Sequence, residues 1–185
     1  MQATNPSNTR TARRPAKTPP ATLPAYNLAD GVCSFRHSLT VRERSVMDRA
    51  LDIVGRRLVE GDAFESPAAV KAYLQLLLGG ETSEQFFVLY LNASHRAIAS
   101  ERHFSGTLTQ ATVYPREIVK AALHHHAAAV VLAHNHPSGS VQPSRADEVL
   151  TQSIKAALAL VEVRVLDHII VGGNKALSML EMGLI

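Results

Sequence analysis

The sequence predicts a layered α/β or α+β domain with a sheet between helices, preceded by two helices and a disordered tail. Three observations carry this reading. From Glu84 onward, apolar strand-like runs alternate with amphipathic helical runs. Before Glu84, two stretches have helical periodicity with sound start and stop signals. Residues 1–38 have neither pattern. The chain therefore divides into a basic, Pro-rich tail (1–38), a helical lead-in (39–80) and a main domain (81–185).

The tail holds five of the nine prolines (Pro6, Pro15, Pro19, Pro20, Pro24) among Thr, Ala, Asn and Ser, a composition that cannot bury a core. No apolar segment follows its arginines, so a secretory signal is not expected. Residues 1–29 carry Arg10, Arg13, Arg14 and Lys17 and no acid. The other 15 basic residues meet 16 acidic ones, so the formal charge of +3 conceals a tail of +4 and a remainder of −1. Contact with nucleic acid is therefore expected through the basic tail only, because the folded part has no basic excess.

The lead-in contains two helices. "TVRERSVMDRALDIVGRRLVEG" places Val46, Ala50, Ile53, Val54 and Leu58 on one face, with a capping box from Thr40 to Glu43 and Gly61 past its end. "SPAAVKAYLQLLLGG" has Ser66 as N-cap, Pro67 in the first turn and Gly79 as its stop.

In the main domain, Phe86–Leu91 is a mostly apolar strand, followed by a turn at 92–94 and a second strand from about Arg96. "GTLTQATV" is a connection. "PREIVKAALHHH" begins a helix at Pro115, and "AAAVVLAH" is a short buried strand ending at His134. Ser144 to about Ala159 is a helix with Val149, Leu150, Ile154, Ala157 and Leu158 on one side. "VEVRVLDHIIV" is a further strand, turned by "GGNK".

The composition, 46% hydrophobic and 19% charged, suits a globular core. No apolar run nears the roughly 20 residues that cross a bilayer, so no membrane association is expected. The single cysteine, Cys33, forms no internal disulfide and excludes a zinc site built on several cysteines. A reducing, cytoplasmic setting fits this usage.

The stretch "HNHPSGSVQPSRAD" concentrates chemistry. Residues i and i+2 of a strand share a side, so His134 and His136 can present two imidazoles to one point. Pro137, Gly139 and Pro143 let the chain turn back. Ser144 then starts a helix whose first turn carries Asp147. Two imidazoles, one carboxylate and a position for water make a catalytic zinc arrangement, and a carboxylate outside the ligand set must move protons. Glu84 is a candidate for that role. On the residues alone a second reading stands: Ser144-Arg-Ala-Asp147 is a good helix start without any metal.

The spacing of His134, His136, Ser144 and Asp147 resembles the JAMM (JAB/MPN) metalloprotease motif. With "GTLTQATVYPREIVKAAL", "AHNHPSG", "PSRAD" and "LDHIIVG", the chain resembles the RadC family over about residues 45–185. The resemblance implies a JAB/MPN sandwich, which is cytidine-deaminase-like. It implies Zn2+ bound by His134, His136 and Asp147, Glu84 as general acid/base, and Ser144 supporting the tetrahedral oxyanion. The implied chemistry is hydrolysis of a peptide or isopeptide bond in a protein or peptide substrate. The family's DNA-repair label suggests an alternative: a non-catalytic metal-binding interaction module in DNA repair or mobile-element processes. Longer members carry a helix-hairpin-helix segment upstream, where this chain has its tail.

Other residues read as structural. His124, His125 and His126 point in three directions at a helix end and cannot share one ion. His168 is either a group behind the site or a hydrogen-bonded core histidine. Arg116-Glu117 is a surface pair or a loop-orienting one. His95 and His103 are expected to be exposed. A metal-dependent nuclease is a third class, opposed by the near-neutral domain charge. Phosphate-binding Gly loops, a Gly-x-Ser-x-Gly elbow and a Cys-x-x-Cys pair are all absent.

Overall fold

The computed structural model describes residues 39–60, 67–106 and 113–185. The expectations for the 1–38 tail, for Gly61 and Ser66 as helix signals, for the Leu58 side chain and for connection residues 107–112 lie outside the described residues.

Helix α1 (Val41–Glu60) opens on the expected capping box. The Thr40 N–H and hydroxyl donate to Glu43 Oε2 at 2.8 and 2.7 Å, and the Glu43 N–H donates to Thr40 Oγ1 at 3.3 Å. Its apolar face differs from expectation. Val46 and Ile53 are 69% and 43% exposed, whereas Leu51 and Val54 pack against the core. The helix leans mainly on α2 (Pro67–Leu78) instead of lying across the sheet, so only a narrow stripe is covered.

Five strands follow among the described residues: β1 (Glu84–Leu91), β2 (Ala97–Gly106), β3 (Ala129–Asn135), β4 (Arg164–Gly172) and β5 (Lys175–Ser178). Helix α3 (Pro115–His124) lies between β2 and β3, and α4 (Arg145–Ala159) between β3 and β4. The sheet order is β2-β1-β3-β4-β5. Only β3 and β4 run parallel; the other neighbours are antiparallel. A parallel pair cannot be joined by a tight turn, and α4 is the crossover that joins this one.

Alternation along the strands sorts the core into two faces. Phe87, Leu89, Leu91, Val131, Ala133, Ile169 and Val171 meet Tyr73, Leu74 and Leu78 of α2. Phe86, Val88, Tyr90, Val130 and Leu132 meet Ile118 and Ala122 of α3 and Ile154 and Leu158 of α4. The result is a three-layer α/β sandwich around a mixed sheet. Every residue of β3 is buried, as expected of a strand covered on both sides.

The buried stripe of α4 is Asp147, Thr151, Ile154 and Leu158, at helical spacing. Val149, expected on that stripe, is 53% exposed. Two polar residues head the stripe, so a count of apolar residues places the face one position off. No helix among the described residues is long and apolar enough to cross a membrane.

Candidate metal centre

The site forms where β3 ends and α4 begins, on the α3/α4 side of the sheet. His134 follows Val130 and Leu132 on that side and is fully buried. Asn135 points the other way and closes the sheet. Its Oδ1 accepts from the Gln85 N–H at 2.8 Å, and its Nδ2 donates to the Ser83 carbonyl at 3.0 Å. This amide fastens the start of β1 to the end of β3.

His136 extends the pairing with β4, its N–H donating to the Val171 carbonyl at 2.8 Å. The loop then folds back on itself. Gly139 has φ 80°, and its N–H donates to the His136 carbonyl at 3.0 Å. The Ser140 carbonyl thereby comes within 3.1 Å of His136 Nδ1, which donates to it and leaves Nε2 for the site. Gly172 permits this arrangement. A Cβ there would lie 2.5 Å from the Gly139 oxygen and 2.8 Å from the Ser140 oxygen.

Ser144 is the N-cap of α4 in a capping box. Its N–H and hydroxyl donate to Asp147 Oδ2 at 2.7 and 2.6 Å, and its Oγ accepts from the Asp147 N–H at 3.2 Å. The cap reading and the ligand reading of Asp147 are thus compatible: the box aims the carboxylate across the gap at β3.

One ligand atom from each of His134, His136 and Asp147 lies within 4.8 Å of the others. His134 Nε2 is 3.0 Å from His136 Nε2 and 3.3 Å from Asp147 Oδ1; His136 Nε2 is 3.7 Å from Asp147 Oδ2. Zinc–ligand bonds of about 2.0–2.1 Å in a tetrahedron imply ligand separations of about 3.3 Å. The three residues fit one ion at these spacings, and among the described residues they form the one such group.

Electrostatics support the donor set. Burial pushes His134 down to about 4 against the opposing pull of Asp147, so its imidazole is neutral at pH 7. The Asp147 carboxylate beside it pushes His136 above its ordinary value, and the charge of Glu84 adds to that push. Burial would raise Asp147, but the His136 and His134 rings beside it and the hydrogen bonds from Ser144 together hold it well below the usual carboxylate range. Metal binding requires His136 in its neutral form, so affinity should fall as pH falls.

Glu84 is the first residue of β1, half-buried, and shares the side of Phe86, Val88 and Tyr90. Phe86 pairs with His134 in the antiparallel register, so continuing that register two positions further on brings Glu84 level with His136. All five residues singled out from the sequence thus gather at one end of the sheet.

Two further residues adjoin the site: His168, which the sequence left between a group behind the site and a core histidine, and Thr151, which it did not single out. His168 on β4 lies level with Leu132 and is fully buried; its Nε2 is 2.8 Å from His134 Nδ1. Thr151, one turn after Asp147, places Oγ1 2.6 Å from His168 Nδ1. A polar residue inside the apolar run "LDHIIV", and a threonine four residues beyond Asp147, were the only signals.

The other described histidines lie elsewhere. His103 is not exposed as expected: its side chain is 10% exposed, and Nε2 is 2.6 Å from the Tyr90 hydroxyl. A buried Tyr90 on β1 needs a partner for its hydroxyl, and the bulge-bearing β1/β2 pairing brings His103 to it. His95 is half-buried and meets Arg164 at 2.9 Å. In the 124–126 run, His124 and His126 are exposed while His125 turns in to Glu101. Arg116 and Glu117 form an exposed pair at 3.4 Å, with the Arg116 guanidinium over the Tyr114 ring.

Residues 64–184 match the family described as RadC-like JAB domain. A UPF0758 protein of Acidovorax sp. (strain JS42) is 63% identical over 141 residues, covering 76% of this chain and 59% of the relative. UPF0758 proteins of Variovorax paradoxus (strain S110) and Nitrosomonas eutropha (strain DSM 101675 / C91 / Nm57) are 57% and 55% identical, over 76% and 77% of this chain and 63% of each relative. The chain spans about three fifths of the length of these curated relatives.

Proposed function

The chain belongs to the RadC family, with a JAB domain over residues 64–184, and from that premise we propose that it is a zinc-dependent hydrolase of peptide or isopeptide bonds. The observation that carries the proposal is the convergence of His134, His136 and Asp147 with Glu84 level with His136 on the same side of the sheet. Zinc held by these three ligands would supply Lewis acidity and lower the pKa of a bound water to about 7.

The residues of this chain do the rest. Glu84 takes a proton from the attacking water and later delivers it to the nitrogen of the leaving amine as the carbon–nitrogen bond breaks. The Ser144 hydroxyl, which donates to Asp147 Oδ2, turns to donate to the oxyanion developing on the attacked carbonyl. Asp147 keeps its bond from the Ser144 N–H meanwhile and so stays aimed at the ion. His134 is sealed beneath Phe86, whose ring lies nearly parallel to it at 6.3 Å, while His136 is partly open to solvent and marks the side from which a substrate enters.

A non-catalytic metal-binding module acting in DNA repair or mobile-element complexes is the competing reading. The +4 tail supports it. A carboxylate at Glu84 beside a complete ligand set favours the hydrolase, because an interaction module needs no proton carrier. The test is metal analysis of purified protein followed by digestion of peptide and isopeptide-linked libraries. One zinc per chain, lost in His134→Ala and His136→Ala, with zinc-dependent amide cleavage, is the expected result. Full zinc in both variants would overturn the ligand assignment. Zinc without cleavage of any amide would favour the interaction module.

A further inference from the structure

Behind His134 runs a line of buried polar groups that the proposed reaction does not use. His134 Nδ1 is 2.8 Å from His168 Nε2, His168 Nδ1 is 2.6 Å from Thr151 Oγ1, and Thr151 Oγ1 is 2.6 Å from the Asp147 carbonyl. His134, His168 and Thr151 are all fully buried. The line therefore starts on one ligand and ends on the backbone of another.

Counting hydrogens gives the line a direction. Thr151 has one hydroxyl hydrogen, and a carbonyl oxygen can only accept. If the hydroxyl donates to the Asp147 carbonyl, Thr151 Oγ1 accepts from His168 Nδ1–H. His168 Nε2 is then bare and accepts from His134 Nδ1–H, which leaves His134 Nε2 with a free lone pair facing His136 and Asp147. Reversing the line puts a hydrogen on His134 Nε2 and removes that lone pair from the site. The threonine's bond to the carbonyl four residues back, a common habit of threonine within helices, selects the first arrangement.

Packing holds the two rings in place. Phe86 lies nearly parallel to His134 at 6.3 Å and edge-on to His168 at 5.6 Å. Asp167 fixes the backbone of the second ring, its Oδ1 accepting the His168 N–H at 2.7 Å while Oδ2 accepts from the Ser178 hydroxyl at 2.6 Å.

We infer that Thr151 and His168 are positioning residues that hold His134 in the tautomer with Nε2 free, so that metal affinity depends on the Thr151 hydroxyl and the His168 ring. The inference rests on the metal-binding reading above and deepens it. A metal-bound histidine commonly donates its other N–H to a carbonyl, carboxylate or water, and losing that partner costs about 10- to 100-fold in affinity. Here the partner is a second histidine whose own tautomer is set by a helix.

The test uses the full chain and Zn2+ alone, with affinity read by chelator competition. Thr151→Val and His168→Leu remove a hydrogen-bonding group and keep near-native volume. Each should weaken zinc binding by about 10- to 100-fold. Thr151→Ser and His168→Gln restore a hydroxyl and an acceptor, and should recover most of the loss. Nitrogen-15 NMR of the metal-free wild type should find His134 and His168 both protonated at Nδ1, a signature that a purely space-filling role would not require and that depends on no variant's folding. Zinc bound as tightly by Thr151→Val and His168→Leu as by wild type would overturn the inference, as would His134 protonated at Nε2. Those results leave zinc binding by the wild type intact, whereas a wild type that binds no zinc, or a His134→Ala variant that keeps it, would overturn the metal reading itself.

Discussion

Adding one methyl group at Gly172 should damage the metal site without touching any ligand. The Cβ of Gly172→Ala would stand 2.5 Å from the Gly139 oxygen, 2.7 Å from the Gly139 carbonyl carbon and 2.8 Å from the Ser140 oxygen. These are backbone atoms, so no side chain can swing away. Ordinary contact begins at 3.4 Å, and the loop must retreat by about 0.9 Å to reach it. That retreat pulls the Ser140 carbonyl from His136 Nδ1, now 3.1 Å away, and frees the ring that it orients. Overpacking of this kind costs about 1–3 kcal/mol. For a domain of this size that corresponds to a fall in melting temperature of about 2–12 °C. Loss of the partner of His136 Nδ1 should lower metal affinity by about 10- to 100-fold. Thermal unfolding of metal-free protein reads the first effect, and chelator competition reads the second. A variant that matches wild type in both would refute the argument that Gly172 fixes the loop. A stability loss with unchanged affinity would show that the Ser140 carbonyl does not orient His136.

Glu84→Gln keeps size and removes basicity, so it should retain zinc and fold while any hydrolytic rate falls by about 100-fold or more; unchanged turnover in metal-replete protein would remove Glu84 from the proton path. Asp147→Asn should lose metal and weaken the start of α4 together, read by metal analysis and by unfolding of the metal-free protein. The folded pKa of Asp147 lies below its ordinary value of 3.8. Its contribution to stability is therefore fully present above about pH 4 and is lost as pH falls through the lower folded value. Melting of the metal-free wild type between pH 5 and pH 3 should accordingly fall more steeply than that of Asp147→Asn, and equal slopes would contradict the shift. Deleting residues 1–29 removes four cations and no acid. Any nucleic-acid binding by the full chain should weaken sharply on that deletion and with added salt, and binding that survives both would point to the folded domain.

Most of the elements and the gathering of His134, His136 and Asp147 were legible in the sequence because the signals that specify them are short-range. The apolar run of β3 ends at a His-x-His pair, and a strand's alternation places both rings on one side whatever else the chain does. Ser144 and Asp147 announce a helix start through the same capping box that aims the carboxylate. Thr40 and Glu43 announce another. The sequence could also name Glu84 as a carboxylate near the first strand, but only the antiparallel register of β1 on β3 brings it level with His136, across about 50 residues of chain. His168 reads in isolation as a polar break in an apolar strand. Parallel pairing of β4 with β3 sets it behind His134, and the crossover through α4 sets Thr151 against its other nitrogen. The same distinction explains the misplaced faces. Val46, Ile53 and Val149 follow helical periodicity, yet which stripe is covered depends on where neighbouring elements lie. His103 is buried because Tyr90, on another strand, brings a hydroxyl to it. Local pattern determines what each segment is and which residues share its side; the pairing of segments distant in the chain determines which sides meet, and hydrogen bonds between them are visible only once they have met.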